Sequence, residues 1–378
     1  MTDNTLQIQV AMMGPTRAGK TTLLTAILAD GRKSFTGTTV RIGAADTQTE
    51  ARIQKNDDEL SGSLSAGEFR PESLRGTTEI QHFSILVSPG VQGEGVQFEF
   101  LDFPGRDLDP MTRDPERWAR VREFLTGTTV LLVPVDATVF MEASEARQRQ
   151  QVHRVLRRAA VRDAIQEWAK ERRDVHDEPA LVIFAPVKCE SYFSDNGGYR
   201  DASRDLFTRF RETYEEVIEI AKEELQHVRV AYVPVDSLGC VEVESVRWVH
   251  DEEPGAGADA LTPEVQYLVR PGKTRRVLGA LDVLVLLIRQ VMEAKREIQR
   301  RGVADAEHGA LMAISERDRK RRFRERVRSR FNGTKERRRR LAAEATQKAE
   351  RELRRLNEYD AVLNGLAEQP DGPRVKTL

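Results

Sequence analysis

Residues Gly14, Pro15, Thr16, Arg17, Ala18, Gly19, Lys20 and Thr21 spell the pattern G-x-x-x-x-G-K-[ST]. Glycines at these places let successive backbone N–H groups curl around phosphate oxygens. The lysine brings a positive charge to them, and the final hydroxyl can face Mg²⁺. The flanks suit the pattern. An apolar alternation from Leu6 to Met13 reads as a buried strand, and Thr22–Leu28 reads as a helix whose N-terminus adds partial positive charge to the loop. Further along, the apolar run Val96–Leu101 ends in Asp102-Phe103-Pro104-Gly105. A carboxylate closing a strand downstream of a phosphate loop is placed to hold Mg²⁺, directly or through water. These residues predict binding of a nucleoside triphosphate with Mg²⁺. Lys20 would meet the β- and γ-phosphates, the loop backbone and Thr22 would surround them, and Thr21 and Asp102 would face the cation.

Three further segments follow the same order along the chain. Arg75-Gly76-Thr77-Thr78-Glu79 precedes the run Ile80–Leu86, and Val187-Lys188-Cys189-Glu190 follows the apolar run Leu181–Pro186. Asp236-Ser237-Leu238-Gly239 follows the run Val228–Val233. Taken with the phosphate loop and Asp-x-Pro-Gly, this order resembles the translation-factor-like (TRAFAC) class of P-loop GTPases across roughly residues 6–295. Within that class, the Arg75–Thr78 and Asp102–Gly105 elements and the large helical inserts look like the bacterial double-GTPase proteins found with conflict systems. The resemblance implies a regulatory GTPase that binds GTP and GDP and works with a separately encoded protein partner. It implies a switch threonine, Thr77 or Thr78, whose hydroxyl and carbonyl meet Mg²⁺ and the γ-phosphate, and a γ-phosphate contact from the Gly105 N–H.

The base-reading residues depart from the family pattern. Lys188 would lay its stem on the base, and Ser237 falls in the last base-contacting loop. Glu190 stands where the family has aspartate, and Val187 where it has asparagine or threonine. Both departures bear on base identity, not on triphosphate binding. A carboxylate there favours guanine, because adenine offers no pair of N–H groups facing it. GTPases often carry glutamine directly after D-x-x-G to orient the attacking water; Arg106 stands there, which implies slow intrinsic hydrolysis. Arg17 occupies the slot of the internal arginine finger of guanylate-binding proteins and would neutralise charge developing at the β–γ bridge; a solvent-facing loop arginine is the plain alternative. Two other readings stand beside the GTPase: an ATPase of the same fold, and a nucleic-acid-binding adaptor with a vestigial nucleotide site.

The elements that must position these residues alternate in type. Strands are predicted at Gln7–Met13, Thr78–Val87, Val96–Leu101, Thr129–Val135, Leu181–Pro186 and Val228–Val233. Helices are predicted at Thr21–Ala29, Glu116–Leu125, Ser144–Arg172, Arg204–Leu225 and Leu281–Arg300. That alternation predicts an α/β fold, a mostly parallel sheet flanked by helices. Asp46–Pro71 and Val241–Lys273 show weaker periodicity, and the second, rich in Glu, Asp, Gly and Pro, reads as an irregular insertion. The expected organisation is a P-loop GTPase-like domain over 1–300 and a charged helical arm with a frayed tail over 301–378.

Composition adds a compartment and a possible class of partner. Of 378 residues, 32% are charged, yet the net charge is only −1. Ser315–Leu356 carries 18 Lys/Arg against 7 Asp/Glu, an excess of +11, so the rest of the chain carries −12. Such an arm suits an acidic partner, nucleic acid or an anionic surface, or else the acidic body of the same chain. Phe323, Val327 and Phe331 lie four apart, and Leu341, Ala345, Ala349, Leu353 and Leu356 continue the line, giving a narrow stripe rather than a coiled-coil seam. The two cysteines, Cys189 and Cys240, cannot form a disulfide framework, and no signal peptide or membrane-length apolar run is present, so a cytoplasmic protein is expected.

Overall fold

The structure, a computed structural model, describes residues 6–38, 40–65, 68–69, 77–88, 95–172, 179–198, 200–225, 227–251, 259–294 and 364–378. The chain divides into two compact units, Met1–Gln290 with Pro370–Leu378, and Val291–Gln369. Arg75, Gly76 and the whole of the basic segment Ser315–Leu356 lie outside the described residues.

In the first unit the predicted alternation is borne out. Its elements are β1 (Leu6–Met12), α1 (Lys20–Ser34), β2 (Arg41–Ala44), α2 (Thr47–Ser65), β3 (Glu68–Phe69), β4 (Gln81–Ser88), β5 (Val96–Asp102), α3 (Pro115–Thr126) and β6 (Thr128–Asp136). Then come α4 (Ala137–Met141), α5 (Ala146–Val155), α6 (Arg158–Glu171), β7 (Ala180–Val187), α7 (Ser203–Glu224), β8 (Val228–Tyr232), β9 (Val241–His250), β10 (Leu261–Val269) and β11 (Lys376–Thr377). A further helix begins at residue 280.

Eight strands form one sheet in the order β11-β8-β7-β6-β1-β5-β4-β2. The five strands from β8 to β5 run parallel, while β4, β2 and β11 are antiparallel to their neighbours. Both faces are covered, so the central strands are apolar throughout; every residue of β7 is buried. On one face Leu101, Leu131, Val133, Val182 and Phe184 pack with Val121, Trp168, Phe210 and Tyr214 from α3, α6 and α7. The stripe Leu206, Phe210, Tyr214, Val217, Ile218 and Ala221 is what lays α7 down. On the other face lie α1 and the helix from residue 280, joined where the Asp30 carboxylate accepts from the Leu281 N–H at 3.0 Å. In the register of the parallel strands, Met12 faces Asp102 and Asp136 faces Val187. The phosphate loop, Asp102, Asp136 and Lys188 therefore all leave the sheet at the carboxyl ends of its strands, where open α/β sheets bind ligands.

Four expectations change. Ser144–Arg172 is not one helix but α5 and α6, broken at Arg157, whose φ of 46° is left-handed; the apolar periodicity runs through the break because both pieces pack on the same core. Asp46–Pro71 holds the 19-residue helix α2. Its apolar signal is weak because only a few of its side chains, Ile53 and Leu60 among them, are buried, and its start is secured locally by Asp46, which accepts from the Thr49 N–H at 2.7 Å and hydroxyl at 2.8 Å. Val241–Lys273 is no irregular insertion: β9 and β10 form an antiparallel ribbon that pairs with β3 in a second, three-stranded sheet. Its alternation is blurred by a register shift at Gln266–Tyr267. Residues 376–377, expected within a frayed tail, extend the main sheet as β11.

Candidate functional site

Three hydroxyl and carboxylate oxygens meet beside α1. The Thr21 hydroxyl donates to Asp102 Oδ2 at 2.7 Å, the Thr77 hydroxyl donates to the same oxygen at 3.1 Å, and the two hydroxyl oxygens stand 3.3 Å apart. The residues come from separate elements: the first turn of α1, the segment before β4 and the end of β5. Asp102 is fully buried, and its Oδ1 has no hydrogen-bond partner among the described residues. A buried carboxylate oxygen left unpaired is costly unless a cation or donor completes it. Hard oxygen donors with one carboxylate are the set that Mg²⁺ takes when substrate phosphates supply the remaining ligands. The residues thus fit Mg²⁺. Thr78, the alternative to Thr77, is exposed.

Lys20 is buried beside them, and its ammonium donates to the carbonyls of Gly14 at 3.0 Å and Pro15 at 3.2 Å. Burial lowers its pKa, opposed by the charge of Asp102. Burial likewise raises the Asp102 carboxyl, opposed by Lys20 and by hydrogen bonds from Thr21 and Thr77. Gly19, at φ 85°, caps α1 without a side-chain hydrogen bond, which leaves the helix's first N–H groups to the loop's concavity. Gly105 brings the Asp-x-Pro-Gly turn against the phosphate loop. A Cβ there would lie 2.0 Å from the Thr16 nitrogen and 2.2 Å from the Pro15 carbonyl carbon, so only glycine allows this approach.

One cavity is lined from both sides by the residues singled out in the sequence: Thr16 to Thr22, Thr77 and Gly105 at one end, Lys188, Glu190 and Ser237 at the other. Val187 closes the gap between the ends, with a methyl group 3.3 Å from where a Cβ on Gly19 would stand. An apolar residue here packs on the phosphate loop. The Lys188 ammonium pairs with the Asp136 carboxylate at the end of β6. Glu190 is 2% exposed and accepts the Leu238 N–H on Oε1 at 3.0 Å. Burial, then the neighbouring Asp236 charge, raises its carboxyl to about 7. Arg17 is exposed at φ 62°, a left-handed geometry rare outside glycine and frequent at functional turns. Arg106 is exposed as well, whereas the adjacent Asp107 is wholly buried and paired with Arg117, Nε to Oδ2, at 2.7 Å.

Several lining residues escaped the sequence reading. Phe69, Leu238, Val241 and Tyr267 wall the cavity from a small second core formed beneath the three-stranded sheet. Asn56 of α2 also lines it, donating to the Thr25 hydroxyl at 2.7 Å. Leu238 lies within the Asp236–Gly239 segment already singled out; no local motif marks the others, which reach the site through α2, β3 and the β9–β10 ribbon.

No protein-family model matches the chain, and no curated protein does. Solved structures do. The chain is similar to the GTPase-like domain of S. cerevisiae Ski7 bound to GTP, at 12% identity over 62% of this chain and 44% of that one, with a TM-score of 0.33. The same domain bound to GDP and inorganic phosphate matches at 11% identity with the same coverage and TM-score. Sup35 complexed with GDP matches at 12% identity over 62% of this chain and 38% of that one, with a TM-score of 0.24. The matched region spans less than half of each of those chains. No helix among the described residues is long and apolar enough to cross a membrane.

Proposed function

We propose that the chain binds GTP with Mg²⁺, hydrolyses it slowly and acts as a regulatory switch. The observation that carries this reading is a cavity lined by Lys20, Thr21 and Thr77 at one end, where both hydroxyls meet the buried Asp102, and by Glu190 at the other. A triphosphate laid along the loop from Gly14 to Thr22 would receive Lys20 at its β- and γ-oxygens and the Gly105 N–H at the γ-phosphate. Thr21, Thr77 and Asp102 would hold Mg²⁺, which would supply positive charge to offset that of the triphosphate. At the other end the Glu190 carboxylate would accept from guanine N1 and N2, with Lys188 and Ser237 beside the base. Arg106 has no acceptor with which to align a water, so turnover is slow. Arg17 supplies the charge at the β–γ bridge that speeds it. Thr77 would reach both the cation and the γ-phosphate, which would make the segment before β4 the element that senses hydrolysis.

The basic segment Ser315–Leu356 would pass nucleotide state to a separately encoded partner or to an acidic one, nucleic acid or an anionic surface. The resemblance to double-GTPase proteins supports the first. Titration with fluorescent GTP and ATP analogues in Mg²⁺ buffer tests the whole reading. Tighter GTP binding is expected; equal or tighter ATP binding would remove guanine from it.

A further inference from the structure

Behind the cavity, residues far apart in sequence share one buried polar network. Asp236 is completely buried one position before Ser237 and two before Leu238, whose N–H holds Glu190. Its Oδ2 accepts from Asn196 Nδ2 at 2.7 Å and from an Arg374 guanidinium nitrogen at 2.8 Å, and its Oδ1 from the Cys189 thiol at 3.3 Å. Asn196 Nδ2 also donates to the Glu190 carbonyl at 2.9 Å, and the Arg270 guanidinium donates to that same carbonyl at 2.9 Å. Arg374 reaches Asp195 too, Nε to Oδ2 at 2.9 Å, and its guanidinium lies 3.8 Å from the centre of the Phe193 ring. One side chain from the segment 370–378 therefore ties the Glu190–Asn196 loop to the Asp236–Leu238 loop. The segment is itself held in place, since Lys376 and Thr377 pair with Tyr232 and Ala231 of β8 and the Leu378 N–H donates to the Val230 carbonyl at 2.9 Å.

We propose that Arg374 is a positioning residue of the nucleotide site, acting through Asp236 to set the two loops that face the base. The reason is electrostatic. A buried carboxylate is tolerated when a cation and hydrogen bonds compensate it, and breaking such a pair leaves an uncompensated charge. Without the guanidinium, Asp236 keeps, among the described residues, only the amide of Asn196 and a weak thiol donor. The loop relieves that by opening to water, and Leu238 leaves Glu190 as it does so. The phosphate end, built on β1, α1 and β5, shares none of these contacts. Loss of Arg374 therefore acts on base recognition. Linkage makes the effect reciprocal: a base that holds the loops closed also holds segment 370–378 in place.

This inference rests on the guanine reading, and two measurements on the full chain separate them. Affinities for GTP and ITP, which lacks the 2-amino group, are compared in wild type, Arg374→Ala and Arg374→Lys. Arg374→Ala is expected to weaken GTP by about tenfold, within the usual range of coupling, and to bring the GTP-to-ITP ratio towards one, with Arg374→Lys partly restoring both. Hydrogen exchange of wild type needs no variant: saturating GDP should slow exchange across 374–378. Wild type that fails to bind GTP overturns the guanine reading and this inference with it. Wild type that binds GTP while Arg374→Ala binds it equally well, or loses GTP and ITP in equal proportion, overturns the inference alone. So does exchange across 374–378 that GDP leaves unchanged.

Discussion

Among the described residues, only carbonyl oxygens and the nearby Asp102 answer the charge of the buried Lys20, which suits a site that anionic oxygens complete. Lys20→Ala should leave the fold intact and weaken both GTP and ATP by about 100-fold, the scale of a lost charge-assisted contact or two; calorimetry showing wild-type affinity would exclude the phosphate assignment. Thr77→Ala should reduce Mg²⁺-dependent binding while Thr78→Ala does not, since only Thr77 reaches Asp102; equal effects of the two would remove the distinction. At the far end, Glu190→Ala should cost GTP about 1–3 kcal/mol and ATP far less, because two guanine donors lose their acceptor. Equal losses would make Glu190 a purely structural acceptor for Leu238. Its raised pKa has two further consequences. The folded, nucleotide-free protein holds the Glu190 proton up to about 7, against an ordinary 4.5 in the unfolded chain, so stability falls as pH rises through that window. If Glu190 reads guanine, GTP affinity should rise through pH 7, because only the ionised carboxylate would accept from the base. Glu190→Gln should flatten the melting temperature's dependence on pH, and an unchanged slope would mean that another group titrates.

At the scale of elements, two glycines make opposite predictions. Gly105 lies where the Asp-x-Pro-Gly turn touches the phosphate-loop backbone, and a methyl there has nowhere to go. Gly105→Ala should destabilise by about 1–3 kcal/mol or more and impair nucleotide binding. Gly62 sits exposed in α2 with nothing within 4 Å of its would-be Cβ, so Gly62→Ala should stabilise by about 0.5–1 kcal/mol. Denaturant unfolding of the two variants gives both signs. Most strands were legible because a parallel sheet covered on both faces writes long apolar runs. The inserts were not: α2 buries few side chains, and β9–β10 finds its partner, β3, in a two-residue strand far away in sequence. A helix break such as Arg157 leaves no mark in the apolar pattern when both halves pack on one core.

For the molecule as a whole, charge is divided unevenly, with an excess of +11 over Ser315–Leu356 against −12 elsewhere. Chain connectivity makes the junctions of that segment informative. The first compact unit ends at Gln290 and resumes at Pro370, where the next few residues carry Arg374 and β11. A switch that signals through the arm should change hydrogen exchange across Ser315–Leu356 between GTP-analogue and GDP states. Identical protection in both would confine any switching to the first unit. If Ser315–Leu356 binds nucleic acid, affinity should fall steeply with salt, in proportion to the phosphates neutralised; a flat salt response would exclude that partner.

The phosphate loop, the Asp102 turn and the alternation of strand and helix were written in short stretches of sequence, because each depends on backbone freedom, a local charge or a periodicity that neighbours along the chain supply. Which threonine meets Asp102 was not, nor was the pairing of Lys188 with Asp136 or the wall made by Phe69 and Tyr267. Those contacts join residues from different strands and loops. Their partners are chosen by strand order, by the register that sets Met12 against Asp102 and Asp136 against Val187, and by the fold of a ribbon over the cavity. The role of segment 370–378 lies at the same extreme: Arg374 has meaning only beside Asp236, 138 positions earlier, and burial brings the two together.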